Sequence, residues 1–341
     1  MLVPFVSLDR ENSALRAPLE AAARRVIESG HVLYGPELEA FEHEIAEWHG
    51  IKYAVGCASG TDSLEIALRA THRSGVVTTT AMTAPATANA IEAAGCEIAL
   101  LDPSPVTRNA TTTADVAVHL YGLATECRSG AIEDIAHSMG ATVDGKLAGT
   151  MGLVGAASFY PTKTMGALGD GGCLLTNDAG IAERARAIRH YGFNEDRTDI
   201  VTRGQNSRLC ELQAAFLRVK LPHVHDWISR RREIAARYTQ ELKGRLVTPY
   251  EPEGCRGVYH VYAVEHPKRD WFKAALQALG VTTIAHYPRA IHQYDRWKGL
   301  GEPGAFPVAE KLAATVLSLP CYPGLTSEEQ DWVIRAVKEC T

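Results

Sequence analysis

Two periods of apolar and polar positions divide this chain. Residues 14–29 and 37–49 carry apolar side chains at helical spacing; in the second stretch Leu38, Phe41, Ile45 and Trp48 fall on one stripe. From Tyr53 onward the pattern changes to short apolar runs, at 53–57, 76–79, 97–101, 116–120, 131–133, 156–159 and 173–176, and each reads as a strand. Helical stretches such as 64–70 alternate with them, which predicts an α/β fold with a mostly parallel sheet. Residues 178–190 read as a helix leaving that sheet, and 209–219 and 227–242 as long helices entering a second lobe. Beyond a turn at 254–257, strands over 258–264 and 282–286 flank a helix over 270–279, so the last lobe reads as α+β. The expected division is a large domain over 1–220 and a smaller one over 221–341, with no internal repeat.

Two connections in the strand region are short. Fourteen residues separate Leu101 from Val116, and eight separate Gly122 from Ala131. A parallel crossover takes about a dozen residues or more, usually with a helix. Thr111, Thr112 and Thr113 are successive β-branched residues and disfavour one. The large domain is therefore expected to be trimmed between about 102 and 131, lacking one or two covering helices. Something else, such as a dimer partner, would then cover the sheet.

Composition removes classes rather than choosing one. Hydrophobic residues make up 46% of 341 and the formal net charge is −5, which argues against a nucleic-acid surface. No apolar run reaches the roughly 20 residues of a membrane span, and the first residues lack a signal-peptide core. Eight cysteines without a Cys-x-x-Cys pair suggest reduced thiols and a cytoplasmic protein. Thirteen histidines raise the question of a metal, but His223 and His225 lack a converging third ligand, so no metal is expected.

The candidate chemistry begins at Ser158-Phe159-Tyr160-Pro161-Thr162-Lys163, followed by Gly166 and Gly169-Asp170-Gly171-Gly172. A lysine desolvated in such a turn loses its proton more easily and becomes a nucleophilic amine, the group that forms a Schiff base with an aldehyde. A solvated loop lysine is the ordinary alternative. Upstream, Asp134 directly follows a short buried run, as either a helix cap or an acid for a buried cation. Ser59-Gly60-Thr61-Asp62 turns from a strand into a helix, leaving free N–H groups for an anion or an ordinary capped helix. Together the three are what pyridoxal phosphate requires: a lysine for its aldehyde, an acid for its ring nitrogen and donors for its phosphate.

The order of these blocks resembles the DegT/StrS group of fold-type I pyridoxal-phosphate-dependent sugar aminotransferases over nearly the whole length. The matching stretches are residues 30–42, 58–64, 118–122, 132–137, the Lys163 segment, Asn206-Ser207-Arg208-Leu209 with Glu211-Leu212-Gln213-Ala214-Ala215, and His286-Tyr287-Pro288 with His292 and Leu317-Ser318-Leu319-Pro320. The resemblance implies an aspartate-aminotransferase-like large domain and a homodimer with shared active sites. Lys163 would hold the cofactor and shuttle the proton, and Asp134 would bind the ring nitrogen. His137 would lie near the ring hydroxyl, and Ser158, Gly60, Thr61 and Asp62 at the phosphate. Asn206 would reach the neighbouring subunit's phosphate, and His286, Tyr287 and His292 would line the sugar-nucleotide side. The implied reaction moves an amino group from an amino acid, usually glutamate, to a nucleotide-linked keto-hexose by ping-pong chemistry. A keto-inositol acceptor and a non-catalytic cofactor-binding regulator are the alternatives. One departure stands out: Ala84 occupies the place of the family's stacking aromatic, so stacking is lost or comes from Met82 or elsewhere, and weaker cofactor retention is expected.

Overall fold

Seven of the apolar runs do become strands, but their order in space is not their order in the chain. The computed structural model describes residues 1–109 and 112–341. Five strands are hydrogen-bonded in the order Tyr53–Cys57, Gly172–Thr176, Val154–Ser158, Ile132–Asp134 and Val116–Val118. The last three are parallel, while Gly172–Thr176 is antiparallel to both of its neighbours. A parallel pair, Val76–Thr80 and Glu97–Leu101, extends the layer. It is joined through Asp115, whose N–H donates to the Thr78 carbonyl and whose carboxylate accepts from the Thr78 N–H at 2.9 Å. The sheet is thus mixed, with a parallel centre whose strands are buried on both faces, as their uninterrupted apolar character requires.

Helices clad this layer because each carries one apolar stripe. Gly60–Ala70 packs Leu64, Ala67 and Leu68 with Val77, Val116, Ile132, Val154 and Leu174. Pro36–His49 packs Leu38, Phe41 and Ile45 against Phe159, Leu209 and Leu217, and the Phe41 and Phe159 rings meet edge-on at 5.5 Å. Toward the C-terminus a smaller α+β region gathers Val224–Glu241, Arg269–Ala278 and Ser327–Glu339 around the antiparallel pair Tyr262–Glu265 and Val316–Leu319. Among the described residues, no helix is long and apolar enough to cross a membrane.

The elements differ from the expected ones in places, each with a local cause. The helix expected over 14–29 begins at Arg16, as Arg16–Ser29, and a separate, unanticipated helix, Leu8–Ala14, precedes it across a break at Leu15. Pro18 cannot donate to Ala14 and its ring would crowd that carbonyl, whereas in the first turn of a new helix it is tolerated. The strand over 258–264 shortens to Tyr262–Glu265, because Tyr259 takes a positive φ and the Val258 N–H turns to the Gly122 carbonyl. The run 282–286 makes only a single bridge, Ile284 to Ser318. Helices Pro85–Ala93, Pro307–Thr315 and Ser327–Glu339 and strand Val316–Leu319 were not anticipated. The first two start on a proline and the third on a Thr326–Glu329 capping box, both legible start signals.

The short connection after Leu101 contains no helix among its described residues; Ala110 and Thr111, part of the stretch read as non-helical, lie outside them. It is pinned to the C-terminal region instead. Arg108 pairs with Glu265 at 2.8 Å and donates to the Ala263 carbonyl, and the Asp102 carboxylate caps the amides of Val308 and Ala309 at 2.9 Å. Helix Pro307–Thr315 thereby places Ala309, Leu312 and Ala313 in the core cluster that contains Val118, so the chain itself supplies cover there.

Candidate active site

In open α/β sheets ligands sit beyond the carboxyl ends of the strands. The register sets Asp134 beside Ala156, so Asp134 and Ser158 emerge at the same edge, with the loop after Ser158 folding back over them. A cavity of about 190 Å³ opens there, lined by Gly60 and Thr61, by Asp134 and His137, by Ser158 and Lys163, and from the C-terminal region by Tyr287.

Lys163 reaches it from a closed turn: its N–H donates to the Tyr160 carbonyl and the Ala167 N–H to the Phe159 carbonyl, both at 2.8 Å. Its amine has no ion-pair partner among the described residues. Burial lowers its pKa to about 8, with the charge of Asp134 resisting the fall. Asp134 is 6% exposed and accepts from the Ala136 N–H and the Thr87 hydroxyl, each at 3.1 Å. Burial raises its pKa against the pull of those bonds and of Lys163. A carboxyl group in that state gains from a cation brought beside it.

Ser59 caps helix Gly60–Ala70 by accepting the Asp62 N–H at 3.1 Å, which leaves the Gly60 and Thr61 N–H groups facing the cavity at the positive end of the helix. Gly60 is required, because a Cβ would press into Ser158. Asp62 does not line the cavity; its carboxylate accepts from the Ser207 hydroxyl at 2.5 Å and so ties the turn to the segment after Asn206.

His137 is neutral by geometry. Its Nδ1 accepts the Tyr121 N–H at 3.3 Å, so Nε2 carries the hydrogen toward the Tyr287 hydroxyl at 3.4 Å. Burial, Lys163 and His286 all push its pKa well down. His286 stands behind this wall, its Nδ1 2.9 Å from the Ser318 hydroxyl and its carbonyl accepting from Tyr121. His292 is elsewhere: it is buried against Phe306 and shares a hydrogen with Glu310 at 3.1 Å. Asn206 is exposed and away from its own cavity, bridged to His190 through the backbone. Ala84 lines the cavity, whereas Met82 is sealed in the core and does not reach it. Thr87, which holds Asp134, also serves this site and was not singled out; His119 lines the cavity, but its ring Nε2 is turned to Glu133.

A buried acid and an unpaired lysine facing one cavity, with a helix N-terminus beside them, are what a fold-type I pyridoxal-phosphate enzyme presents to its cofactor. Comparison with known proteins narrows that class. The chain belongs to the DegT/DnrJ/EryC1/StrS aminotransferase family, whose pattern matches residues 14–338. It is 38% identical over 366 positions to the dTDP-3-amino-3,4,6-trideoxy-alpha-D-glucose transaminase of Streptomyces venezuelae, covering 99% of this chain and 96% of that one. It is 37% identical over 370 positions to a pleiotropic regulatory protein of Geobacillus stearothermophilus, covering 99% and 98%. Both alignments are longer than this chain, so those relatives carry residues with no counterpart here. The crystal structure of S. venezuelae DesV in complex with a ketimine intermediate superposes with a TM-score of 0.95 at 34% identity, over 99% of this chain and 98% of that one.

Proposed function

We propose that this protein transfers an amino group from L-glutamate to the C3 keto group of a nucleotide-linked hexose, using pyridoxal phosphate. The observation that carries the reading is the single cavity shared by Lys163, Asp134 and the Gly60–Thr61 helix end; the 3-amino sugar in the name of the Streptomyces relative supports the position. When bound, the cofactor supplies an electron sink that makes the hydrogen beside the amine acidic.

The chain's own residues do the rest. Asp134 would hold the ring nitrogen as a paired charge, Gly60, Thr61 and Ser158 the phosphate, and neutral His137 the ring hydroxyl as a donor. Lys163, whose amine is neutral in a large fraction of molecules near pH 8, takes the proton from one carbon and returns it to the other. Tyr287, with His286 behind it, would form the C-terminal wall on the sugar side. The exposed Asn206 suits a contact across a dimer, in which the partner's Asn206 would complete each phosphate site. The shortened segments between 102 and 131 are the natural place for the residues missing relative to longer family members. Eight unpaired cysteines agree with a cytoplasmic location.

The test is the visible spectrum of the protein with added pyridoxal phosphate, before and after L-glutamate. Conversion of the lysine-bound band to the amine form, followed by its return with a nucleotide-linked 3-keto-hexose, is expected; return only with a keto-inositol would overturn the acceptor. The regulatory name of the Geobacillus relative and the missing aromatic at Ala84 favour one second reading, a cofactor-binding regulator, in which the band forms and ignores every donor.

A further inference from the structure

The helix Glu211–Lys220 touches the loop of the reactive lysine at two points. Near its start, Gln213 Oε1 accepts the Leu168 N–H at 2.8 Å; at its end, Lys220 Nζ donates to the Gly166 carbonyl at 2.7 Å. The two side chains are seven residues apart, two helical turns, and so lie on one face. Gly166 is pressed so closely on Pro161 that a Cβ would overlap the Pro161 carbonyl, which closes the turn 161–166 into a ring of backbone with Lys163 at its crown. The Gly166 carbonyl is therefore the point from which the whole turn can be held.

Lys220 is an unusual residue to find there. It is 4% exposed and has no direct ion pair among the described residues. A buried ammonium is costly unless its donors are used. Nearby, Glu11 of the N-terminal helix supplies the opposite charge, and Arg231 acts in turn on Glu11. Burial raises the Glu11 pKa and lowers that of Lys220, while each of the two partly offsets the other. Glu11 Oε1 and Thr164 Oγ1 are buried and free of hydrogen-bond partners. Nothing in the reading of Lys163 and Asp134 uses this layer.

We propose that Lys220 is a positioning residue for Lys163: by holding the Gly166 carbonyl it fixes the turn 161–166 and keeps the Lys163 amine desolvated and aimed at the reacting carbon. The inference rests on the proposed role of Lys163. Releasing the carbonyl loosens the turn and admits water, so the Lys163 pKa rises toward the ordinary lysine range. Misplacement of a proton-transferring group by about 1 Å is enough to cost on the order of 10²-fold in rate.

The experiment compares the parent with Lys220→Met, Lys220→Arg and Gln213→Leu. In cofactor-free protein, the pH dependence of Lys163 labelling by a small amine-reactive reagent is followed by peptide mass spectrometry. With pyridoxal phosphate bound, the single-turnover rate with L-glutamate is measured alongside KM. Expected for Lys220→Met are a labelling midpoint moved up by at least about half a pH unit from a parent value of about 8, a rate lowered about 10- to 100-fold and little change in KM. Lys220→Arg, which keeps a donor, restores most of both. Gln213→Leu, at the outer end of the tether, moves both in the same direction by less, and decides the matter if Lys220→Met does not fold. A parent-like midpoint and rate in the folded variants, whatever their melting temperature, would overturn the positioning role while leaving the Lys163 reading intact. A parent that forms no lysine-bound band overturns that reading itself, and this role with it.

Discussion

Glu133 and Asp134 are neighbours on one strand, and the strand's alternation sends them to opposite faces with opposite fates. On the back face Glu133 is completely enclosed and saturated. His119 Nε2 lies 3.0 Å from one oxygen, which also accepts the Gly149 N–H at 2.9 Å, while the other accepts the Met151 and Gly152 N–H groups at 2.8 and 2.6 Å. These donors outweigh burial and hold its pKa down. On the front face Asp134 has two partners and an open side, and burial wins. The same chemical group is thus saturated in one place and left with an open side in the other. What separates them is whether the fold itself supplies enough donors. Lys163 shares the front face and the same incompleteness.

Breaking the open side should destroy function and spare the fold. Lys163→Ala is expected to abolish the lysine-bound cofactor band and lower transamination by more than about 10⁴-fold, with the melting temperature of the cofactor-free protein unchanged or raised. Asp134→Asn should lower turnover by about 10²-fold or more.

The pH dependence of stability sharpens the contrast. A carboxyl group whose folded pKa is raised adds stability below its unfolded value of about 3.9, and that contribution is lost as pH rises through the folded value. Cofactor-free Asp134→Asn should therefore exceed the parent in stability near pH 7 and lose that advantage below about pH 4. Glu133 has the opposite sign: its contribution is complete above about pH 4.3 and disappears as pH falls through its lowered folded value. Glu133→Gln turns an amide hydrogen toward backbone N–H groups, and should cost about 2–3 kcal/mol by denaturant unfolding at pH 7. Equal stability losses for the two variants at pH 7 would end the distinction.

The smallest effect tests the gap on the ring face. Ala84→Tyr, at the cavity wall, should tighten pyridoxal phosphate binding by about 1 kcal/mol, or roughly fivefold, in a titration of the cofactor band. Unchanged binding would mean that another group already covers that face.

The same contrast explains what could be read in the chain. Strands such as Gly172–Thr176 and helices such as Pro36–His49 declare themselves because burial on two faces or on one stripe dictates their composition. The Lys163 turn stood out through its order with Asp134 and the Gly60–Thr61 turn, since a lysine in a loop is ordinarily just solvated. Sequence order cannot tell a residue that lines a cavity from one that braces its wall, and His292 and Asp62 do not line this one. His292 braces Glu310 and Asp62 receives Ser207. Likewise Pro307–Thr315 was missed as an element, although it covers the sheet beside the short connection.

By itself the sequence determined the α/β order of elements and marked Lys163, Asp134 and the Gly60–Thr61 turn as candidates, because each follows from local periodicity or from chemistry carried by a few consecutive residues. Only the tertiary structure decided which side of Ile132–Asp134 is closed and which is open, that Arg108 and Asp102 pin the short connection to the C-terminal region, and that Lys220 stands under the Lys163 turn. Those outcomes depend on donors and charges that the fold brings together from separate elements, from His119 on Glu133, 14 residues apart, to Val308 on Asp102, 206 apart, and a buried charge takes its pKa and its role from the neighbours it meets there.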